Sequence, residues 1–179
     1  MLLAAVSVGR IKKESSAKGK SGPLPAACAS TGKEKIEKEK NAVLEWMSRG
    51  SGLHLNVVER IYNEAHRHRF PDVLIAIAKV ESNFDPDAIS DKGALGLMQV
   101  LGSAWTEELR RRGIIHNEDD LFNVSKCMDA SAYILDKYMA WNKGNLDAAI
   151  IHYGGPADHA YLGKILAALE EIRKVKGGN

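Results

Sequence analysis

The stretch Val73–Val80 most constrains how this chain folds. Its sequence is VLIAIAKV, and Lys79 is its only polar residue. A run with no wettable face has to cross the middle of a core. Its length suits a buried strand as well as a buried helix. Helix is the expected form, because Pro71 and Asp72 supply a helix start and helical patterns continue on both sides.

Those flanking patterns recur along the chain. Asn56 is a candidate cap for a helix through Arg69 that carries Val57, Val58, Ile61, Tyr62 and Ala65 on one face. Further helices are expected over Ser103–Arg112, Ser125–Met139, Asn145–Tyr153 and Asp158–Val175. The last has Tyr161, Leu162, Ile165, Leu169 and Ile172 on one side. No segment alternates over the length of a strand, and no repeat of fixed period is visible. The expected class is all-α.

The 179 residues are 45% apolar and 27% charged, enough for a real core and too polar for a membrane protein. The net charge of +2 hides an asymmetry. Residues 1–53 hold ten Lys+Arg against five Asp+Glu, and residues 54–179 hold fifteen against eighteen. A nearly neutral main body speaks against a nucleic-acid binder. Two cysteines cannot build a disulfide scaffold.

Residues 1–32 read as a tail rich in Gly, Pro, Ser and Lys. Its apolar start, Met1–Val8, precedes its basic residues, the reverse of a secretory signal. Leu24–Cys28 has a faint likeness to a lipoprotein processing box that Pro25 fits badly, so Cys28 reads as a linker cysteine. Lys33–Met47 is helix-like, and Ser48–Gly52 ends it. The expected organisation is a basic, partly disordered extension over 1–53 with one helix at 33–47, then a compact domain over 54–176.

The chemistry concentrates in Ala78–Gln99. Glu81 ends the apolar run. A carboxyl in poorly solvated surroundings is harder to ionise, which is what a general acid needs near neutral pH. Pro86, Ser90, Gly93 and Gly96 then form a turn-rich loop suited to a cleft wall, and Gln99 adds an amide able to bond polar sugar groups. On these residues alone, a solvated helix end is the simpler account of Glu81.

The block as a whole resembles the soluble-type lytic transglycosylases, relatives of goose-type lysozyme. The family's Glu-Ser is matched by Glu81-Ser82. Its Phe-x-Pro-x-Ala-x-Ser is matched by Phe84, Pro86, Ala88 and Ser90. Its Gly-Ala-x-Gly-Leu-Met-Gln is matched by Gly93, Ala94 and Gly96 through Gln99. The resemblance covers about residues 54–172.

It implies a lysozyme-like helical domain with a cleft between helical lobes. The implied activity cleaves the β-1,4 bond from N-acetylmuramic acid to N-acetylglucosamine in peptidoglycan, with Glu81 as acid and then base and a 1,6-anhydro product. It implies that Ser90, Met98 and Gln99 line the sugar cleft, and that Tyr153 holds the catalytic Glu. It further implies an exported protein of the periplasm or cell envelope, acting without metal or cofactor on glycan strands, as a monomer, with envelope machinery as a candidate partner. A muramidase of the same fold and a non-catalytic peptidoglycan-binding or assembly module stand as alternatives.

The chain departs from the family pattern at its third motif. His152-Tyr153-Gly154-Gly155-Pro156 lacks the usual Asn after Tyr, and Ser131 stands where a Gly is usual. Other residues have simpler readings. His66 and His68 suit a helix C-terminus, Arg110–Arg112 a solvated helix end, and Glu118–Asp120 a cap before Leu121. Cys127 suits packing, Trp105 and Trp141 suit packing more simply than stacking on sugars, and a Cys28–Cys127 disulfide is disfavoured.

Overall fold

A computed structural model of the chain describes residues 26–155 and 160–177, with side chains from Gly32 onward. Residues 1–25 of the tail expected over 1–32, the side chain of Cys28 and the segments 156–159 and 178–179 lie outside the described residues, whereas the tail's residues 26–32 are helical. Seven α-helices dominate: α1 (Ala26–Ser51), α2 (Leu55–Ala65), α3 (Pro71–Ser82), α4 (Gly102–Arg111), α5 (Val124–Trp141), α6 (Leu146–Gly154) and α7 (Tyr161–Val175). A short 3₁₀ helix spans Glu118–Phe122. Two strands of two residues each, β1 (Ala94–Leu95) and β2 (Val100–Leu101), pair antiparallel. Among the described residues the fold is all-α apart from this small ribbon, as the sequence predicts.

The apolar run is the central helix. Pro71 opens α3, Asp72 sits in its first turn, and Val73 through Ala78 are all buried. Helix α7 packs along α3, and α2 and α5 lie against it as well. Pro71, which lacks an N–H, costs nothing at a helix start, where that group would have no partner.

Helix boundaries follow local capping chemistry. Asn123 Oδ1 accepts from the N–H groups of Ser125 and Lys126 to open α5, and Asn145 Oδ1 accepts from Ala148 N–H to open α6. Asn117 caps the 3₁₀ helix through Asp120 N–H, whereas the expected cap there was the acidic run that follows. Asn56 does not cap α2: the residue before that helix is His54, and its side chain makes no capping bond. Helix α2 also stops at Ala65, four residues before the expected end at Arg69. There His66 stacks on Tyr62 and His68 pairs with Asp129 at 3.2 Å.

The hydrophobic core runs across the boundary expected at residues 53 and 54. The first helix is longer than the predicted 33–47, and Val43, Leu44 and Met47 on its second half are buried in the same core as α3. Trp46 meets Phe84 edge-on at 5.8 Å, and Asn83 Nδ2 donates to Gly50 O at 3.1 Å. The sequence pattern misled because the first half of this helix, Gly32–Lys38, is fully exposed and polar. Averaged over its length, the helix looks solvated.

Candidate active site

Glu81 stands in the last turn of α3, where the chain changes direction sharply. Asn83 and Phe84 both adopt left-handed backbone, with φ of 53° and 69°. Two such non-glycine residues in succession are costly, on the order of 1–3 kcal/mol each. Burial of the Phe84 ring against Trp46 holds them. The Ser82 hydroxyl lies within bonding distance of Leu97 O, at 2.7 Å, and so ties the helix end to the returning loop.

That loop is clasped at both ends. Ser90 N–H donates to Ala94 O and Ala94 N–H donates back to Ser90 Oγ, both at 3.0 Å. Gly96 (φ 70°) passes so close to the 3₁₀ helix that a Cβ there would lie 2.0 Å from Leu121 O. Only glycine satisfies both the backbone angle and this approach. Gln99 Nε2 donates to Ala88 O and Gly96 O, at 3.1 and 3.0 Å. With both amide protons committed to the loop, the side-chain carbonyl of Gln99 is the atom left to accept from a ligand.

These elements enclose a cleft of about 420 Å³. Glu81, Ser90, Gln99, Trp105, Tyr138 and Tyr153 are among the residues that line it. Four of the site residues expected from sequence, Glu81, Ser90, Gln99 and Tyr153, therefore meet around one cavity. Met98 does not join them: its side chain is 0% exposed, so it packs the core beneath the cleft instead of touching a ligand. The local backbone accounts for this: Leu97 and Met98 are both buried, and the chain turns at Gln99, whose backbone is left-handed (φ 48°).

The tyrosine expected to hold Glu81 is also corrected. The Tyr153 hydroxyl bonds with Met98 O at 3.1 Å and with Ser131 Oγ at 2.9 Å. Burial first, and then the nearby charge of Glu81, push that phenol well above its ordinary range, so it stays a neutral hydroxyl. Ser131, in the position where the family usually has Gly, is the polar partner that anchors it.

Glu81 is instead held by Tyr161, whose hydroxyl donates to Oε1 at 2.6 Å. Tyr161 opens α7 and is 4% exposed. Its ring lies flat against Gly154, where a Cβ would fall 2.2 Å from Cγ of the ring. The sequence placed Tyr161 on the apolar face of its helix without a role. The available signal was the hydroxyl itself, because a Tyr buried among aliphatic positions has to find a partner for that group.

The profile of the transglycosylase SLT domain matches residues 60–160, more than half of the chain. The chain belongs to the transglycosylase SLT domain family. This is a lytic-transglycosylase family that acts on peptidoglycan, and the SLT match takes in Glu81, Ser90, Gln99 and Tyr153 and ends one residue before Tyr161. Searches among curated proteins and among solved structures give no match.

Among the described residues lining the cleft of this SLT domain, Glu81 is the one carboxylate. Cys127, just below the loop, is wholly buried, and burial pushes its thiol up to about 12, which makes it a packing residue without nucleophilic character.

Proposed function

We propose that the protein cleaves the β-1,4 bond between N-acetylmuramic acid and N-acetylglucosamine without consuming water, leaving a 1,6-anhydro end. The observation that carries this reading is a single carboxylate in the described cleft wall, with a buried tyrosine hydroxyl fixing one of its oxygens. Most glycosidases use two carboxylates, and a site with one suits substrate-assisted chemistry.

In this mechanism the carboxyl of Glu81 gives its proton to the glycosidic oxygen as the bond from that oxygen to the muramic anomeric carbon breaks. The substrate's own acetamido oxygen stabilises the carbon left behind. The Glu81 carboxylate then takes the proton of the muramic 6-hydroxyl, whose oxygen closes onto the anomeric carbon. Tyr161 holds Glu81 Oε1 and so fixes the carboxyl group for proton transfer. Ser90 and the Gln99 carbonyl suit the polar groups of the sugar. Such a substrate lies outside the cytoplasm, so the proposal includes export to the cell envelope.

The test is digestion of purified sacculi by the protein and by Glu81→Gln, with the released muropeptides analysed by mass. Anhydro ends that disappear in the variant are the expected result. Reducing ends would indicate a hydrolase, and binding without cleavage would overturn both enzymatic readings.

A further inference from the structure

A row of aromatic rings in the cleft wall is more exposed than core packing requires. Tyr138 of α5 is its centre. Trp105 of α4 meets it edge-on at 5.7 Å, Trp141 meets it at 5.6 Å and 68°, and His152 of α6 stacks on it at 5.6 Å. Trp105, Tyr138 and His152 line the same cleft as Glu81. Trp141 is outside that lining and is 66% exposed. The packing role expected for Trp141 from sequence therefore does not hold.

Large apolar rings grouped beside a cleft mark a surface that something else covers. Their mutual edge contacts fix the ring orientations in advance, so little side-chain freedom is lost when a ligand arrives. Lys137 lies 5.5 Å from the centre of Trp105 and shares the Glu108 carboxylate (3.3 Å) with Arg111 and Arg112. The ring faces themselves are flat and apolar, which suits the C–H face of a pyranose, and Trp105 and Tyr138 line the cleft that holds Glu81, which points to a ring of the same glycan strand.

We propose that Trp105, Tyr138 and Trp141 form a stacking ledge that binds a sugar ring of the glycan strand at the rim of the cleft. The proposal deepens the reading above and rests on it for the identity of the polymer. The ledge sets how firmly a long strand is held, whereas Glu81 sets whether it is cut.

Chitohexaose is a suitable probe, because it is neutral and carries neither lactyl groups nor peptides. Calorimetric titration into Glu81→Gln gives the parent affinity. Adding Trp141→Ala should weaken binding about tenfold, in the range for loss of an aromatic anchor, and Trp141→Phe should restore most of it. Trp141 is exposed, so its replacement leaves the fold intact, which circular dichroism checks. Equal affinity in the Ala variant, or no binding by the Glu81→Gln parent, overturns the ledge. The two readings fail separately. Sacculus cleavage with no Trp141 dependence removes the ledge alone. Trp141-dependent binding without cleavage removes the reaction and leaves a glycan-binding site.

Discussion

Tyr153 and Tyr161 both place a buried phenol near Glu81, yet they do different work, and substitution separates them. Tyr161→Phe keeps the ring that packs on Gly154 and deletes only the hydroxyl that reaches Glu81 Oε1. A hydrogen bond to a charged group contributes about 1.5–3 kcal/mol. Steady-state kinetics on sacculi should therefore show kcat reduced by roughly tenfold to a hundredfold, with KM and Tm little changed. Tyr153→Phe leaves Met98 O and Ser131 Oγ short of a buried partner. Its cost should appear in stability, about 1–3 kcal/mol by denaturant unfolding, more than in rate. If the two variants exchange these phenotypes, the assignment of Tyr161 to Glu81 is wrong.

At the level of elements, α1 is the helix whose importance the composition hides. Its exposed first half resembles a linker, but Val43, Leu44 and Met47 complete the core that holds α2 and α7. Two ion pairs reinforce the same packing, Lys40 with Glu59 at 2.7 Å and Lys176 with Asp72 at 2.7 Å. Asn83, two residues beyond Glu81, is bonded to the end of α1, so the helix also braces the turn that aims the carboxylate. Removing residues 1–53 should abolish cooperative folding. Met47→Ala should cost about 2–5 kcal/mol, the range for emptying a buried Met site. A folded, active 54–179 fragment would refute this account of α1.

For the whole molecule, the relevant quantity is how charge is distributed. Residues 1–25 carry five Lys+Arg against Glu14 alone, so most of the excess basicity lies ahead of the packed helices. Within the folded body, carboxylates are held in their charged form by specific partners. The Tyr133 hydroxyl and then Lys137 lower Glu108 from its ordinary 4.5 to about 2. Arg173 lowers Glu170 to about 2 as well, and Lys126 holds Asp120 below the usual carboxylate range. A carboxyl depressed in the folded state adds stability that is complete above its unfolded value and is lost as pH falls through the folded one. Tm should therefore be level above about pH 5 and fall steadily from there towards pH 2. A flat Tm across that window would mean these exposed pairs contribute nothing.

The sequence alone determined the helical class, the central place of Val73–Ala78, and the group of Glu81, Ser90 and Gln99 around one loop. Each of these rests on local information: an unbroken apolar run, a helix-start pair, and glycines at turns. Tertiary structure decided what depends on contacts between distant segments. It put Met98 inside, because the left-handed backbone at Gln99 sets which neighbour faces the cleft. It gave Glu81 to Tyr161, eighty residues away, and Tyr153 to Ser131. It drew Val43 and Met47 into the core although their helix begins in solvent, and it left Trp141 exposed although its own helix reads as buried. Spacing along a chain fixes which face of a helix a residue occupies, and only the packing of other helices decides whether that face meets protein or water.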